Sequence, residues 1–155
     1  MSVPLCLQVF CDQTKVALLT HSETKDLEKV TETADFIDLV VKYWKIVSVK
    51  CQGMDKRKND ELLAEIRSPN DSRLSFLLEF GNMCLKMKSK PRKRERQLTR
   101  DTALAIYHTC CGLVELVRYL LSTSHDYVCS GNFSTDKLEK DFSKKKTGGW
   151  RSIFC

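Results

Sequence analysis

The chain has 155 residues, of which 42% are hydrophobic and 30% charged, with six glycines and three prolines. This composition excludes a low-complexity or collagen-like chain and is typical of a helix-rich globular protein. The net charge of +6 permits contact with nucleic acid without requiring it.

The eight cysteines raise the question of disulfide bonds, and the sequence favours reduced, intracellular thiols. No secretory signal is visible, and several cysteines fall on apolar helix positions, where a thiol behaves as a small hydrophobe. No C-x-x-C pair has a second pair or a histidine pair as partner, so a zinc site has little support. No uninterrupted apolar run approaches the ~18–20 residues of a membrane span, so we expect no membrane partner.

The first half of the chain predicts three helices separated by polar segments. The clearest of them is at 31–49, where apolar residues recur every three or four positions. Thr31 or Thr33 is expected to cap this helix. The predicted elements, in chain order, are a helix at 7–20, a polar bridge at 21–29, a helix at 31–49, a charged loop at 52–60 and a short helix at 61–66.

The second half predicts a turn and two longer helices. The turn is at 68–71, where proline presets φ and Asn/Asp side chains bond to the backbone, and a helix follows at 72–87. Thr99 and Asp101 begin the longest helix, which runs to about residue 124. Its apolar positions are spread widely enough to predict burial around most of its circumference.

Between these two helices lies the sharpest charge run of the chain, KSKPRKRERQ at 88–97. It has two functional interpretations, a nuclear-localisation signal and a contact with nucleic-acid phosphates, and such runs are also common as solvated loops. Two histidines are candidate site residues. His108 lies inside a helix with no second ligand in sequence reach, which favours a structural role, and His125 is placed to complement a helix dipole.

The segment 131–149, GNFSTDKLEKDFSKKKTGG, predicts a final capped helix. Leu138 and Phe142 lie four apart on one face, and Asp136 and Glu139 lie three apart in the first turns. Acids near a helix N-terminus stabilise its dipole, so these two could be capping charges alone, as in an unrelated helical protein. They could equally belong to a catalytic or nucleotide site, and local physics does not choose.

The order of these segments resembles the C-terminal part of P-element-type transposases, a family that often carries a THAP zinc-finger DNA-binding domain. Residues 98–144 resemble the family's long helix and the motif that follows it. Residues 8–18, 33–55 and 67–77 look like its helical GTP-binding insertion. The motif positions matched here are Tyr127, Ser134, Asp136, Leu138, Glu139, Phe142 and Ser143.

The resemblance implies a mainly α fold, in which a helical insertion-domain fragment is followed by the C-terminal helix of a ribonuclease-H-like core. It assigns residues 1–97 to the insertion, 98–146 to the end of the insertion and the C-terminal segment, and 147–155 to a divergent tail. In the family, two aspartates and a late glutamate bind Mg²⁺ for DNA cleavage and strand transfer. Glu139 matches that catalytic, metal-binding glutamate, and Asp136 matches an acid of the GTP pocket.

The same resemblance implies transposon-end DNA as partner and a nuclear location, and it is compatible with a homo-oligomer. This sequence departs from the family at the F-D-x-x-N pattern that helps hold the nucleotide. Trp44-Lys45-Ile46-Val47-Ser48 stands there, so Lys45 and Ser48 replace the acid and the amide. The aspartate-bearing strands are also missing from these residues. We therefore expect a fragment or decayed copy that is inactive alone. The alternative is a domesticated helical module that binds protein or nucleic acid.

Overall fold

The computed structural model describes residues 9–21, 27–87 and 98–134, and these residues confirm the mainly α fold. Five α-helices and two 3₁₀ helices account for most of them, and no named β-strand occurs within these ranges. The helices are α1 (Asp12–His21), α2 (Leu27–Val47), α3 (Met54–Lys58), α4 (Ser72–Lys86) and α5 (Arg100–Thr123), and the 3₁₀ helices are η1 (Glu61–Leu63) and η2 (Ser130–Phe133).

The caps of α4 and α5 explain why the sequence located both helices well. The Asp71 carboxylate accepts a hydrogen bond from the backbone N–H of Arg73 at 2.9 Å, which is an N-cap contact. The Thr99 hydroxyl does the same for the N–H of Thr102 at 3.2 Å. The predicted turn before α4 is also confirmed, because the Asp71 N–H donates to the carbonyl of Ser68.

Three predictions in the first half are wrong. Helix α2 already includes Leu27, so Thr31 and Thr33 lie inside it and neither is its N-cap. The predicted loop at 52–60 contains α3, which follows a glycine in the left-handed conformation. The predicted helix at 61–66 shortens to η1. Ile66, the last residue of that predicted helix, instead forms a β-bridge with the distant Val128. Local propensity cannot reveal such a pairing.

The main core lies where α4 packs along α5. Gly81 allows this close approach, because a Cβ at that position would lie 3.0 Å from the Cβ of Cys110. The end of α2 and the bridged segments close the core at one end. Its buried members are Ile46, Ile66, Leu74, Leu77, Val114, Val117 and Val128.

The segment after α5 returns to the C-terminal end of α2. Val128 and Ile66 exchange both backbone hydrogen bonds, at 2.8 and 2.9 Å. The buried Ser130 hydroxyl then donates to the carbonyl of Ile46, one of the last carbonyls of α2, which a helix leaves without an internal partner. The Gly131 N–H donates to the Val49 carbonyl at 2.8 Å. Segment 128–131 is therefore held by hydrogen bonds to Ile66, to the last turn of α2 and to Val49 just beyond it.

Helix α5 is buried on one face only, so the prediction of burial around most of its circumference is wrong. Its buried side chains are Ala103, Cys110, Val114 and Val117, whereas the side chain of Tyr119 is 64% exposed. Averaged over 18 residues, α5 is long and apolar enough to cross a membrane. A helix that packs in the core of a soluble protein meets the same criterion, so length and composition do not distinguish the two cases.

None of the six cysteines within the described ranges forms a disulfide bond. Cys84 and Cys110 belong to a second buried cluster between α4 and α5, which also contains Phe80. Burial raises the pKa of Cys110 to about 12, so this thiol stays protonated at neutral pH.

Candidate binding groove

An open groove of about 480 Å³ lies between the C-terminal end of α2, the middle of α5 and η2. Its walls come from segments that are far apart in sequence and are brought together by the hydrogen bonds of the Ser130 hydroxyl and the Gly131 N–H described above. The lining residues are Tyr43, Trp44, Val47, Ser48, Lys50, His108, Thr109, Gly112, Leu113, Leu116, Ser130, Gly131, Phe133 and Ser134.

Three large hydrophobic side chains of the groove face solvent. Trp44 of α2, Leu116 of α5 and Phe133 of η2 are 39%, 38% and 43% exposed, respectively. A single exposed leucine on a protein surface is ordinary, whereas several large apolar side chains sharing one concave surface are typical of a binding site. The three residues belong to three different elements, so the fold assembles this apolar surface and no single helix creates it.

Tyr43 contributes a neutral aromatic surface to the groove. Its ring stacks on Phe80 with the ring centroids 4.8 Å apart, which fixes its orientation. Burial raises the pKa of the Tyr43 phenol to about 12. The hydroxyl is therefore protonated at neutral pH and offers no charge to a ligand.

The polar groups of the groove supply hydroxyls, a lysine and a histidine, but no carboxylate lies among the described lining residues. The Ser48 hydroxyl donates to the carbonyl of Lys45 at 3.3 Å, and the Ser130 hydroxyl is used by α2. His108 is exposed, and its ring meets the Tyr107 ring edge-on at a centroid distance of 5.4 Å. The chemistry of the groove therefore favours an apolar ligand surface over a cation.

Lys45 faces away from the groove. Its ammonium group forms an ion pair with Asp60 at 2.9 Å, and the hydrogen bond from Lys45 lowers the pKa of the Asp60 carboxyl. Lys45 also lines a smaller cavity beside α1. Position 45 thus ties α2 to the segment before η1, whereas Trp44 and Ser48, its neighbours in the family pattern, do line the groove.

The two acids singled out in the sequence, Asp136 and Glu139, lie outside the described residues, as does the basic run at 88–97. Within the described ranges no three His, Cys, Asp or Glu side chains form a group able to hold a metal ion, so these residues do not fit a magnesium centre. They do not fit GTP either in the manner that the resemblance implies. The described lining has no acid to accept hydrogen bonds from the N–H edge of guanine.

Sequence reasoning missed most of the groove. It gave His108 a structural role, yet the side chain lies on the groove wall, and it did not single out Leu116 or Phe133. One signal was present in the pattern of α5, which carries apolar residues on more sides than one neighbour covers. That excess predicts an exposed apolar surface as readily as complete burial.

Comparisons of the chain with protein-family models, with curated proteins and with solved structures find no match.

Proposed function

We propose that these 155 residues are a fragment or decayed copy of a P-element-like DNA transposase, with residues 1–97 in its GTP-binding insertion and 98–146 at the end of the insertion and in the C-terminal segment. The observation that supports this proposal is the groove. The two stretches that carry most of the resemblance, 33–55 and 98–144, both contribute walls to it, although they are far apart in sequence. Two stretches that belong to one nucleotide site in the family are expected to meet in this way.

In this proposal the chain does not cleave DNA by itself. Strand cleavage in the family needs three carboxylates that together hold divalent metal, and the resemblance supplies only Glu139 in these residues. A lone glutamate cannot hold two metal ions. In the intact family the reaction takes place in the nucleus on transposon-end DNA, and this chain would derive from such a protein.

The test of catalysis is a plasmid-nicking assay with the purified 155-residue chain in Mg²⁺ or Mn²⁺. Its control is the Glu139→Gln variant, which shares any contaminating nuclease but lacks the candidate metal ligand. We expect no nicking above that of the variant. Mg²⁺-dependent nicking that the variant loses would contradict the proposal that essential carboxylates are missing.

We expect weak or absent GTP binding, because position 45 faces Asp60 and the described groove wall lacks a carboxylate. Isothermal titration calorimetry of the wild-type chain with GTP, and with ATP as control, measures this. The Trp44→Ala variant tests whether any heat arises in the groove. Micromolar GTP binding that this variant abolishes would show the prediction to be wrong and would assign the groove to the nucleotide.

A second function, a domesticated helical binding module, is favoured by the exposed apolar side chains of the groove. In one version of this second function, the module binds nucleic acid through the basic run at 88–97. The described chain stops at Met87, before the run, and resumes at Leu98, after it. A hydrogen bond of 3.2 Å joins the N–H of Leu98 to the carbonyl of Met87. The two described residues that flank the run, with its six Lys/Arg in 88–96, are therefore in direct contact with each other.

For the nucleic-acid version we expect DNA binding that weakens steeply with salt, because bound lysines and arginines displace counterions. Fluorescence anisotropy with a random-sequence duplex at a series of salt concentrations measures it. The informative variant changes all six cations of 88–96 to glutamine. Binding that this variant retains in full would exclude the basic run as the contact.

A further inference from the structure

Helix α5 leaves one apolar face uncovered. Leu116 and Tyr119 on this face are 38% and 64% exposed, and a Cβ on Gly112 would meet no atom within 4 Å. Only 17% of the most apolar 18-residue stretch of α5 is buried inside the described structure. Exposed apolar surface of this kind is stabilised when a second apolar surface removes it from water. The described helices do not supply that second surface.

The exposed positions of this face have the spacing of a coiled-coil seam. They alternate steps of three and four residues along α5, which keeps them in one stripe on the helix. We call this stripe the α5 seam, and its six positions, all exposed, are Thr102, Ala105, Thr109, Gly112, Leu116 and Tyr119. The α5 seam is about 26 Å long at 1.5 Å per residue, and part of it forms the α5 wall of the groove. Such spacing is typical of a helix that packs along another helix.

The side-chain sizes make the α5 seam complementary to itself in an antiparallel pair. Its N-terminal part carries small side chains, and its C-terminal part carries the two large ones, Leu116 and Tyr119. In an antiparallel pair centred on the middle of α5, Leu116 lies opposite Ala105 of the second copy. Tyr119 lies opposite Thr102 of the second copy, so each large side chain meets a smaller one. A parallel pair would set Tyr119 against Tyr119 and leave the small residues facing each other across a gap.

Gly112 lies near the centre of this antiparallel register, opposite Thr109 of the second copy. A glycine without a side chain lets two helix backbones approach closely, as Gly81 does where α4 packs on α5. Inside a helix, glycine is less favourable than alanine, and no described atom uses the space beside Gly112. A second helix packed closely on α5 would use that space.

The charged residues beside the α5 seam are also complementary in this register. His108 and Glu115 are exposed on the same side of the seam, seven residues apart. In the antiparallel pair, His108 of each copy lies beside Glu115 of the other, so an imidazole N–H can donate to a carboxylate twice across the two-fold axis. Asp101 lies beside the uncharged Ser122 of the second copy, so this register brings no like charges together on this side.

We propose that two copies of this chain associate through the α5 seam, with the two α5 helices antiparallel and Gly112 of each copy beside Thr109 of the other. The pair buries Leu116 and Tyr119 and covers the α5 wall of the groove. This inference goes beyond the proposed function and does not depend on descent from a transposase.

The size of the α5 seam sets the expected strength of the dimer. A strip about 26 Å long and about 10 Å wide covers on the order of 300 Å² of each copy, which is less than the ~800 Å² per partner of a stable interface. We therefore expect reversible association with a Kd weaker than about 1 µM.

Sedimentation velocity of the full 155-residue chain measures the association, at concentrations that bracket the expected Kd and with a reducing agent to exclude disulfide-linked dimers. The test variant is Gly112→Gln, which places a side chain at the close approach but meets no atom of its own copy within 4 Å at Cβ. We expect it to weaken association by about tenfold or more, because the added side chain separates the two helices. The matched control, Ser75→Gln on the exposed face of α4, should associate as the wild type does.

A charge exchange tests the antiparallel register. Glu115→Lys sets a cation beside His108 of the second copy and should weaken association, whereas Glu79→Lys makes the same change on the exposed face of α4 and should not. Adding His108→Glu to Glu115→Lys restores opposite charges across the pair and should recover association. Far-UV circular dichroism of each variant checks that the helices persist. A double variant that associates no better than Glu115→Lys alone would refute this register.

Three other results would overturn the proposal. The first is a chain that stays monomeric over the whole concentration range. The second is a dimer that Gly112→Gln leaves unchanged, which would place the interface elsewhere. The third is a monomer that floats with vesicles of phosphatidylcholine and phosphatidylserine, which would assign the apolar face of α5 to a membrane surface.

Discussion

Gly131 occupies a position where any other residue must move the backbone. A Cβ built on Gly131 would lie 2.8 Å from the carbonyl carbon of Ser48 and 2.9 Å from the carbonyl oxygens of Ser48 and Val49. All three atoms belong to the backbone, which has no rotamer change to offer. In Gly131→Ala, segment 130–133 must therefore withdraw from the end of α2.

The cost of that withdrawal follows from the contacts it breaks. The hydrogen bond from the Gly131 N–H to Val49 is lost, and the bond from the Ser130 hydroxyl to Ile46 is strained or lost. Two intramolecular hydrogen bonds contribute about 1–3 kcal/mol together, and leaving a buried carbonyl without a partner costs about 1–3 kcal/mol. Alanine restricts the unfolded chain and returns about 0.4–1 kcal/mol. We expect a net loss of about 2–4 kcal/mol in the free energy of unfolding.

The assay is urea unfolding followed by far-UV circular dichroism, which gives the free energy of unfolding from the midpoint and slope. Gly112→Ala is the matched control, because the same substitution lies inside α5 and its Cβ would meet no atom within 4 Å. Alanine is the better helix former by about 1 kcal/mol, so the control should be stabilised. A Gly131→Ala variant within 0.5 kcal/mol of wild type, a margin close to the error of such extrapolations, would refute the close approach.

Three further predictions concern single residues. Arg73→Leu should lower the free energy of unfolding by about 2–4 kcal/mol, because it leaves the Asp71 carboxylate and two backbone carbonyls without their guanidinium partner. In the same urea assay, Arg67→Leu should cost under about 1 kcal/mol, because Arg67 is more exposed. The backbone N–H of Glu65 and the Arg67 guanidinium lower the pKa of the Glu65 carboxyl from 4.5 to about 2. The ionised carboxyl therefore stabilises the fold above pH 4.5, and this stabilisation is lost as the pH falls towards 2. Over that pH range, the urea midpoints of Glu65→Gln should vary less than those of wild type. In native protein at pH 8, a maleimide followed by mass spectrometry should label the exposed Cys51 and leave Cys110 unmodified until urea is added.

Sequence reasoning located α4 and α5 because their signals are local. Asp71 and Thr99 are side chains whose preference for the N-cap position is a property of the residue itself, and apolar spacing then marks the helix that each one starts. The turn before α4 is equally local. Such elements need no knowledge of the rest of the chain.

The segment around η1 was misread because its conformation depends on a distant partner. The backbone of Ile66 pairs with Val128, and Ser130 bonds to Ile46 across 84 residues of sequence. Each of these long-range contacts holds a residue in a conformation other than the one that its neighbours in sequence would favour. The groove inherits this difficulty, since the same contacts bring η2 against α2, and its residues could not be grouped from sequence alone.

Lys45 shows that the shape of the groove and its capacity to recognise a nucleotide depend on different residues. The Lys45 side chain pairs with Asp60 and helps hold α2 in place, so it makes a structural contact outside the groove. The apolar walls on the near side, including Trp44 and Leu116, do not depend on that side chain. Covering an apolar wall requires only shape and a second apolar surface, whereas recognising guanine also requires an acceptor in the right place. A groove with apolar walls and no such acceptor in its described lining is therefore expected to bind an apolar surface and to bind GTP weakly or not at all.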